Sequence, residues 1–333
     1  MKDIGHLWVI ILAAGDGKRV RSFTSDADGE FVPKQFWAID GQGSMLRRTL
    51  ERAASLVPVS RVVPVVASQH RHWWEEELTD VPQENVVIQP QNRGTAAGLL
   101  LPFMHIVQRD HMARILVLPC DHFVENEDLL REAIISGLQV AREHDDRVVL
   151  LGMEPEESDP DYGWIVPSGS TDEGTARGVS TFIEKPDRAT AERLARRGGL
   201  LNSLILVATA RALLQLYDHA IPHLVARFVC WRDESARRWP DLEELYRDLP
   251  SCDFSRQVLE VSADWLSVVP VSHCGWVDLG TPTRLQPFLS RQPYDDACLR
   301  QGDPTVVLGR QALRRVIPRG LDHRPAHLDP GRS

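Results

Sequence analysis

Short apolar segments alternate with helix-like segments over the first half of the chain, and this alternation constrains the fold more than any other feature. Each apolar segment is rich in Val, Ile and Leu and is bounded by polar or turn residues, which predicts a buried β-strand. The predicted strands are residues 7–13, 62–67, 86–88, 115–118 and 148–151. Strands separated by helices predict an α/β fold with a mainly parallel sheet, helices on both faces and ligands at the carboxyl ends of the strands.

The segments between these strands have helical periodicity. Ser44 is a predicted N-cap, and apolar residues then recur at the spacing of one helix face up to Val57. Beyond Gly152 the pattern is more irregular and predicts antiparallel strands. The remaining predicted elements are helices at 95–110, 127–144 and 189–197, strands at 162–168, 178–186 and 201–208, a helical region over 211–249, and a strand that runs into a polar turn over 265–282.

The charge of the chain excludes several classes of partner. Its 47 acidic and 38 basic residues give a formal charge of −9 at pH 7, whereas nucleic-acid and anionic-membrane surfaces ask for a basic face. We therefore expect small-molecule ligands, no nucleic-acid partner and no membrane. The absence of a long apolar run and of a signal-peptide pattern predicts a cytoplasmic protein. The sequence leaves open whether the chain forms a homodimer.

Cysteine usage and the C-terminal composition bear on domain organisation. Five cysteines without a CxxC pair predict neither a disulfide framework nor a zinc site. From residue 293 on, Pro, Arg and Asp dominate and few apolar residues recur periodically. These features predict one domain over residues 1–290 and a tail over 291–333 that is surface-packed or partly mobile.

The first predicted strand ends in a small cationic loop, Gly15-Asp16-Gly17-Lys18-Arg19. The next residue is Val, so the third glycine of a dinucleotide-binding fingerprint is missing, and the GxxxxGK[ST] spacing of a P-loop is missing as well. Glycines still allow backbone N–H groups to approach an anion closely, and Lys18 and Arg19 add positive charge. The loop is therefore predicted to bind phosphate, with a solvated turn as the alternative.

Lysine is scarce in this chain. Of the 38 basic residues only four are lysine: Lys2, Lys18, Lys34 and Lys185. Because lysine is a compact charge on a flexible stem, a site that places one charge on a phosphate can require it where arginine does not fit. Lys34 lies in the motif PKQF, after an Asp- and Gly-rich segment at 25–30 that predicts a flexible flap.

Two aspartates follow apolar strands far apart in the sequence. Asp121 lies in the motif LPCDH at the end of a predicted buried strand, and Asp278 lies in the turn GWVDLGTP. Mg²⁺ prefers one or two protein carboxylates together with substrate phosphates. We expect both carboxylates to face one metal ion; the alternative for Asp121 is a cap on the next turn.

Taken together, seven motifs resemble those of a known enzyme family. LAAGDGKR, PKQF, QNRGTAAG, LPCDH, YGWI, FIEKP and GWVDLG occur in this order over about residues 9–285. This combination resembles the sugar-1-phosphate nucleotidyltransferases, and most closely the mannose-1-phosphate guanylyltransferases. The resemblance implies a Rossmann-like three-layer nucleotidyltransferase fold. It also implies nucleotidyl transfer from a nucleoside triphosphate, GTP favoured, to a sugar 1-phosphate, mannose 1-phosphate favoured, with release of pyrophosphate.

The resemblance also implies a role for individual residues of this chain. The predicted catalytic cations are Arg19, Lys34 and Lys185, and the predicted Mg²⁺ ligands are Asp121 and Asp278. The predicted nucleotide-binding residues are Ala13, Ala14, Gly15, Gly17, Lys18, Gln89, Asn92, Gly94 and Thr95. The predicted sugar-phosphate-binding residues are Tyr162, Gly163, Glu184 and Asn202.

The chain departs from the family pattern at two places. Val20, Arg21 and Ser22 stand where the guanylyltransferases usually have Leu-Trp-Pro, and Leu204 stands where they tend to have Gly. These departures leave the base and the hexose open. Two further alternatives are a cytidylyltransferase of isoprenoid synthesis, against which PCDH and FIEKP speak, and a catalytically silent nucleotide-sugar-binding regulatory protein. The presence of the metal-binding aspartates speaks against the second.

Overall fold

A computed structural model describes residues 5–24, 31–39, 43–169, 176–232 and 241–291. The strands within these ranges are β1 (Leu7–Ala13), β2 (Val62–Ala67), β3 (Val87–Gln89), β4 (Arg114–Pro119), β5 (His122–Phe123), β6 (Val148–Met153), β7 (Gly163–Pro167), β8 (Arg177–Glu184), β9 (Leu200–Thr209), β10 (Leu266–Val271) and β11 (Val277–Asp278). The α-helices are α1 (Met45–Ala54), α2 (Arg71–Glu77), α3 (Gly94–Arg109), α4 (Glu127–Glu143), α5 (Arg188–Arg196), α6 (Ala210–Ala220), α7 (Pro222–Arg232), α8 (Leu242–Asp248) and α9 (Pro282–Arg291).

Nine of the described strands form one sheet in the order β3-β2-β1-β4-β9-β6-β10-β8-β7. Parallel pairing joins β1 to β2 and β4, β2 to β3, and β6 to β10. β9 runs antiparallel to β4 and β6, and β8 runs antiparallel to β10 and β7. Within the described sheet, only β8 and β9 therefore run against the other strands, which confirms the predicted mainly parallel sheet.

Two apolar layers cover the faces of the sheet because side chains alternate along each strand. In β1, Val9 and Ile11 are buried on the face that also packs Leu46 of α1 and Ile134 of α4. Ile10 of the same strand packs on the opposite face with helices that include α3 and α6. Helices on both faces give the three-layer architecture that the alternating pattern predicts.

The predicted elements agree with the structure most closely where the pattern is strongest. The strands at 7–13 and 62–67 are confirmed at both ends. Ser44 caps α1, since its hydroxyl accepts a hydrogen bond from the Arg47 N–H at 3.0 Å. The predicted helical region over 211–249 contains three helices, α6, α7 and α8. Residues 233–240 within that region, the predicted flap at 25–30 and the tail from residue 292 on lie outside the described residues.

No α-helix among the described residues is both long enough and apolar enough to cross a membrane.

A glycine at the start of α3 allows two backbone segments to meet, and this contact gives a test of the fold. Gly94 has φ +83°, and a Cβ there would collide with the backbone of Cys252. The two segments are joined by hydrogen bonds from Ala96 N to Cys252 O and from Cys252 N to Arg93 O, each 3.0 Å. Gly198 also has a positive φ, +74°, but a Cβ there would meet nothing within 4 Å.

We therefore expect Gly94→Ala to destabilise the protein more than Gly198→Ala. Gly198→Ala carries the left-handed backbone strain alone, about 1–2 kcal/mol. Gly94→Ala adds a steric clash, worth about 1–3 kcal/mol more. Urea unfolding of both variants, analysed at equal slope, measures the difference. An equal loss of unfolding free energy in the two variants would contradict the close contact.

Candidate active site

The buried side chain of Gln35 holds the glycine loop after β1 in place. The Gln35 side-chain amide donates hydrogen bonds to the carbonyl oxygens of Ala13, at 3.0 Å, and Gly15, at 2.9 Å. Gly17 has φ +62°, and a Cβ there would lie 3.2 Å from the backbone N of Lys34. Glycine at this position therefore lets the loop and the PKQF segment lie against each other. The side chain of Lys18 lies outside the described residues.

Lys34 connects the two predicted metal-binding aspartates. Its ammonium group donates to Asp121 Oδ2 and to Asp278 Oδ1, both at 3.0 Å. The Lys34 side chain is 4% exposed, whereas those of Asp121 and Asp278 are 41% and 22% exposed. The structure thus brings together three residues that the sequence separates widely, and the two carboxylates face one common atom.

A short antiparallel ribbon places Asp278 beside Asp121. In this ribbon, formed by β5 and β11, Asp278 lies opposite His122. The adjoining turn is fixed because the backbone N–H groups of Glu125 and Asn126 donate to Cys274 O at 3.1 and 2.9 Å. A Cβ on the next residue, Gly275, would collide with Glu125, so the turn requires glycine there.

Charge pairing holds this cluster in its ionised form. Burial lowers the pKa of the Lys34 ammonium, but Asp121 and Asp278 outweigh burial and raise the pKa above its ordinary value. Burial raises the pKa of Asp278, but the charges of Lys34 and Arg284 hold that pKa well below its usual range. At neutral pH Lys34 is therefore an ammonium and Asp278 a carboxylate before any ligand binds.

The donor set of this cluster fits Mg²⁺ shared with a substrate. Two carboxylates contact the same point, Lys34 Nζ, at 3.0 Å. The described residues contain no group of three or more His, Cys, Asp or Glu side chains arranged to hold a metal alone. Mg²⁺ needs no such group, because it commonly takes one or two carboxylates and completes its octahedral coordination with substrate phosphates and water.

The predicted nucleotide-binding residues after β3 are tied to a later part of the chain. The Gln89 side-chain amide donates to Tyr246 Oη at 3.1 Å. Thr95 Oγ1 accepts from Phe254 N at 2.7 Å, and Asn92 Oδ1 accepts from Gly94 N at 2.9 Å. The Gln89–Tyr246 bond joins the end of β3 to residues 246–254, and the Thr95–Phe254 bond joins the QNRGTAAG segment to them. The sequence patterns did not associate residues 246–254 with the site.

Strands β7, β8 and β9 carry the predicted sugar-phosphate residues. Gly163 pairs directly with Glu184, and a Cβ at Gly163 would lie 2.6 Å from Glu184 Oε2. Glu184 Oε1 lies 3.2 Å from Lys185 Nζ, and Lys185 N donates to Tyr162 O at 3.2 Å. Burial raises the pKa of Glu184, against the opposing charge of Lys185. The glycine therefore makes room for a largely buried carboxylate with one cation beside it.

A bulge in β9 shapes the same region. Pairing with β6 shifts register between Leu150 and Gly152, opposite the residues around Leu204. Leu204 has φ +57°, a left-handed conformation that costs a residue with a Cβ about 1–2 kcal/mol. The Asn202 side chain stabilises it, since Asn202 Oδ1 accepts from Leu204 N at 3.0 Å. Strained backbone of this kind is common at ligand sites.

One cleft of about 390 Å³ collects nearly all of the predicted site residues. Those that line it are Ala14, Gly15, Gly17, Arg19, Lys34, Gln89, Asn92, Gly94, Thr95, Asp121, Tyr162, Gly163, Glu184, Lys185, Asn202 and Asp278. Ala13 does not line the cleft, because its side chain is buried in the core and its carbonyl group accepts from Gln35. The placement agrees with the predicted roles, which remain predictions.

Sequence reasoning missed several residues of this cleft. Asp253 and Ser255 line it, and Ser255 Oγ accepts from the Asn202 side-chain amide at 3.2 Å. Residues 255–259 form a short π-helical turn, a feature often found at functional sites. No sequence motif marks residues 253–259. Gln35 was also missed as a residue that supports the glycine loop, although its position next to Lys34 in the motif PKQF could have indicated it.

Comparisons with known proteins identify the family of this chain. The family model described as Nucleotidyl transferase matches residues 8–287. The xanthan biosynthesis protein XanB of Xanthomonas campestris pv. campestris is 29% identical over 284 residues, which cover 82% of this chain and 57% of XanB. Mannose-1-phosphate guanylyltransferase 2 of Escherichia coli O157:H7 is 26% identical over 306 residues, which cover 87% of this chain and 61% of that protein. The match thus spans only about three fifths of these relatives.

A solved structure supports the same fold. The Thermus thermophilus protein described as a mannose-1-phosphate geranyltransferase superposes with a TM-score of 0.72 at 27% identity. The superposition covers 87% of this chain and 81% of that protein. The expected nucleotidyltransferase fold is thereby confirmed. Because the family model matches residues 8–287, most of this chain, the chain belongs to the nucleotidyl transferase family.

Proposed function

We propose that the protein transfers a nucleotidyl group from a nucleoside triphosphate to a sugar 1-phosphate, giving a nucleotide sugar and pyrophosphate. GTP and mannose 1-phosphate are the favoured substrates, because relatives of this chain include proteins named mannose-1-phosphate guanylyltransferase. The observation that carries the proposal is the Lys34, Asp121 and Asp278 cluster, which lies in one cleft with the glycine loop and with the β7 to β9 region.

The proposed reaction needs little acid–base chemistry. The second pKa of a phosphate monoester lies near 6, so the attacking oxygen is already anionic at neutral pH. This oxygen forms a bond to the α-phosphorus, and the bond from that phosphorus to the bridging oxygen of the leaving pyrophosphate breaks. The main task of the protein is to bring two polyanions together in line, which a cleft lined by cations can do.

The residues of the cleft divide this task. Arg19, which is exposed, and Lys34 would contact the triphosphate, and Lys185 would contact the sugar phosphate. Asp121 and Asp278 would hold Mg²⁺, which supplies charge neutralisation and Lewis acidity at the reacting phosphate when bound. Glu184, next to Lys185 at 3.2 Å, would orient that cation and accept hydrogen bonds from sugar hydroxyl groups.

One observation favours a second candidate, a nucleotidyltransferase for a different sugar. Leu204 lines the sugar half of the cleft with a branched apolar side chain held at a positive φ. Such a side chain offers no hydrogen bond to a hydroxyl group, and it occupies space that a glycine would leave open. A sugar other than mannose is therefore the second candidate for the acceptor.

A pyrophosphate-release assay tests the proposed function directly. GTP, ATP, CTP and UTP are each combined with the 1-phosphates of mannose, glucose and fucose in the presence of Mg²⁺. We expect the highest kcat/KM for GTP with mannose 1-phosphate. A maximum at another pair would establish the second candidate. No release with any pair, while a nucleotide sugar still binds, would contradict an enzyme and support a regulatory binding protein.

Asp278→Asn and Lys34→Ala should each lower turnover by on the order of 10²- to 10³-fold, because Asp278→Asn removes a carboxylate that would hold Mg²⁺ and Lys34→Ala removes a cation from the triphosphate. Pyrophosphate release at saturating substrates measures the effect, and circular dichroism checks the fold. Asp80→Asn is the matched control, since Asp80 is a 77% exposed carboxylate paired with Arg47 outside the cleft. Turnover near that of the wild type in either cleft variant would rule out its assigned role.

Lys185→Ala should mainly raise KM for the sugar phosphate, because Lys185 lies on the β7 to β9 side of the cleft beside Glu184. Steady-state kinetics with each substrate varied in turn separates the two KM values. Arg188→Ala removes an exposed cation at the start of α5 and serves as the control. If the rise fell on the nucleotide KM instead, the assignment of the two halves of the cleft would be reversed.

A further inference from the structure

We propose that Arg284 is a positioning residue that fixes Asp278 and Tyr162 together, so that one side chain aligns the metal-binding and sugar-binding parts of the cleft. This inference rests on the proposed function. Arg284 lies in α9 and its side chain is only 10% exposed. It does not line the cleft, so any effect on the reaction must pass through the residues it contacts.

The first contact is with the carboxylate of Asp278. Arg284 Nη1 donates to Asp278 Oδ2 at 2.8 Å, while Asp278 Oδ1 accepts from Lys34 at 3.0 Å. The same Nη1 lies 3.3 Å from the backbone oxygen of Asp278. Each carboxylate oxygen therefore has its own cation, which restrains rotation of the group. Partners of this kind orient carboxylate ligands in metal sites, and their loss typically weakens metal binding by about 10- to 100-fold.

The second contact is with the ring of Tyr162. The guanidinium carbon of Arg284 lies 4.0 Å from the centroid of that ring, well within the range of a cation–π interaction. The Tyr162 backbone oxygen accepts from the N–H of Lys185 at 3.2 Å. Arg284 thus stacks on Tyr162, whose backbone oxygen is hydrogen-bonded to Lys185, the lysine predicted to bind the sugar phosphate.

Two further contacts hold the guanidinium in place. Arg284 Nε donates to Thr281 Oγ1 at 3.1 Å and lies 3.5 Å from Asp159 Oδ2. Only a planar fork with several donors can serve two carboxylates, a hydroxyl group and an aromatic face at once, and lysine lacks this geometry. Arg284→Lys therefore keeps the charge and removes the arrangement, which makes it the informative substitution.

The effect of Arg284 on the metal site is tested by measuring Mn²⁺ binding rather than activity. Binding of Mn²⁺ in the presence of GTP is measured by electron paramagnetic resonance for the wild type, Arg284→Lys and Arg47→Lys. Arg47 is a matched control, because it also contacts two carboxylates, those of Asp80 and Glu77, and one carbonyl group, that of Glu77, outside the cleft. We expect Arg284→Lys to weaken Mn²⁺ binding by about 10- to 100-fold and Arg47→Lys to leave it unchanged.

The effect of Arg284 on sugar-phosphate binding is tested by steady-state kinetics. Arg284→Lys should raise KM for the sugar phosphate through Tyr162 and should raise the Mg²⁺ concentration at half-maximal activity, whereas a merely structural role would lower kcat alone or the melting temperature alone. Arg284→Gln, which keeps a planar group with fewer donors, is measured in parallel so that a folding defect in one variant does not decide the result.

Three outcomes would overturn the proposal for Arg284. They are Mn²⁺ binding as tight in folded Arg284 variants as in the wild type, an equal loss in Arg47→Lys, and a wild type that binds no Mn²⁺ with nucleotide. A wild type that binds Mn²⁺ with nucleotide but releases no pyrophosphate contradicts the proposed function only. In that case weaker Mn²⁺ binding by Arg284→Lys still supports the positioning role.

Discussion

A buried ammonium group between two carboxylates is the interaction on which the rest of this structure depends. Lys34 is 4% exposed and contacts Asp121 and Asp278 at 3.0 Å each. Burying an unpaired charge is costly, and removing one partner of a buried ion pair typically destabilises a protein by about 3–5 kcal/mol. The buried Lys34 ammonium therefore requires these carboxylates, and their meeting requires the PKQF segment, the end of β4 and the β5–β11 ribbon to converge.

The sheet brings these segments together because it joins a parallel part to an antiparallel part. β3, β2, β1 and β4 are parallel neighbours, and their carboxyl ends lead into the glycine loop, the QNRGTAAG segment and Asp121. β7, β8 and β9 are antiparallel and carry Tyr162, Glu184 and Asn202 to the same cleft. Because β9 pairs with both β4 and β6, the two parts form one continuous sheet. A rigid scaffold of this kind can hold two anionic substrates at a defined distance.

A set of supporting side chains holds the cleft residues in place. Gln35 holds the carbonyl groups of the glycine loop, Tyr246 holds Gln89, and Arg284 binds Asp278 and stacks on the Tyr162 ring. These side chains are glutamine, tyrosine and arginine, which offer several hydrogen-bond donors or acceptors at fixed angles. The residues predicted to contact the substrates are thus positioned by contacts that any substrate would find already formed.

The sequence predicted much of the fold and singled out residues that line one cleft, but it predicted few of their contacts. Strands β1 and β2 were predicted at both ends because long runs of branched apolar residues carry a strong signal. The link between Lys34 and Asp278 was not predicted, because it depends on the register of a two-residue strand, which has no periodicity to detect. The contact of Cys252 with Gly94 and Ala96 uses backbone atoms, so side-chain identity gives no clue to it. At Leu204 the departure from glycine was visible, but its positive φ was not.

A crystal structure of the wild-type protein with Mg²⁺ and a non-hydrolysable GTP analogue tests the central claim most directly, since that claim assigns Asp121 and Asp278 to one metal ion and Lys34 to the triphosphate. We expect both carboxylates to ligate the ion and the Lys34 ammonium to contact the triphosphate. An ion held without either aspartate, with Lys34 still bonded to both carboxylates, would contradict it and would make the cluster a structural ion network.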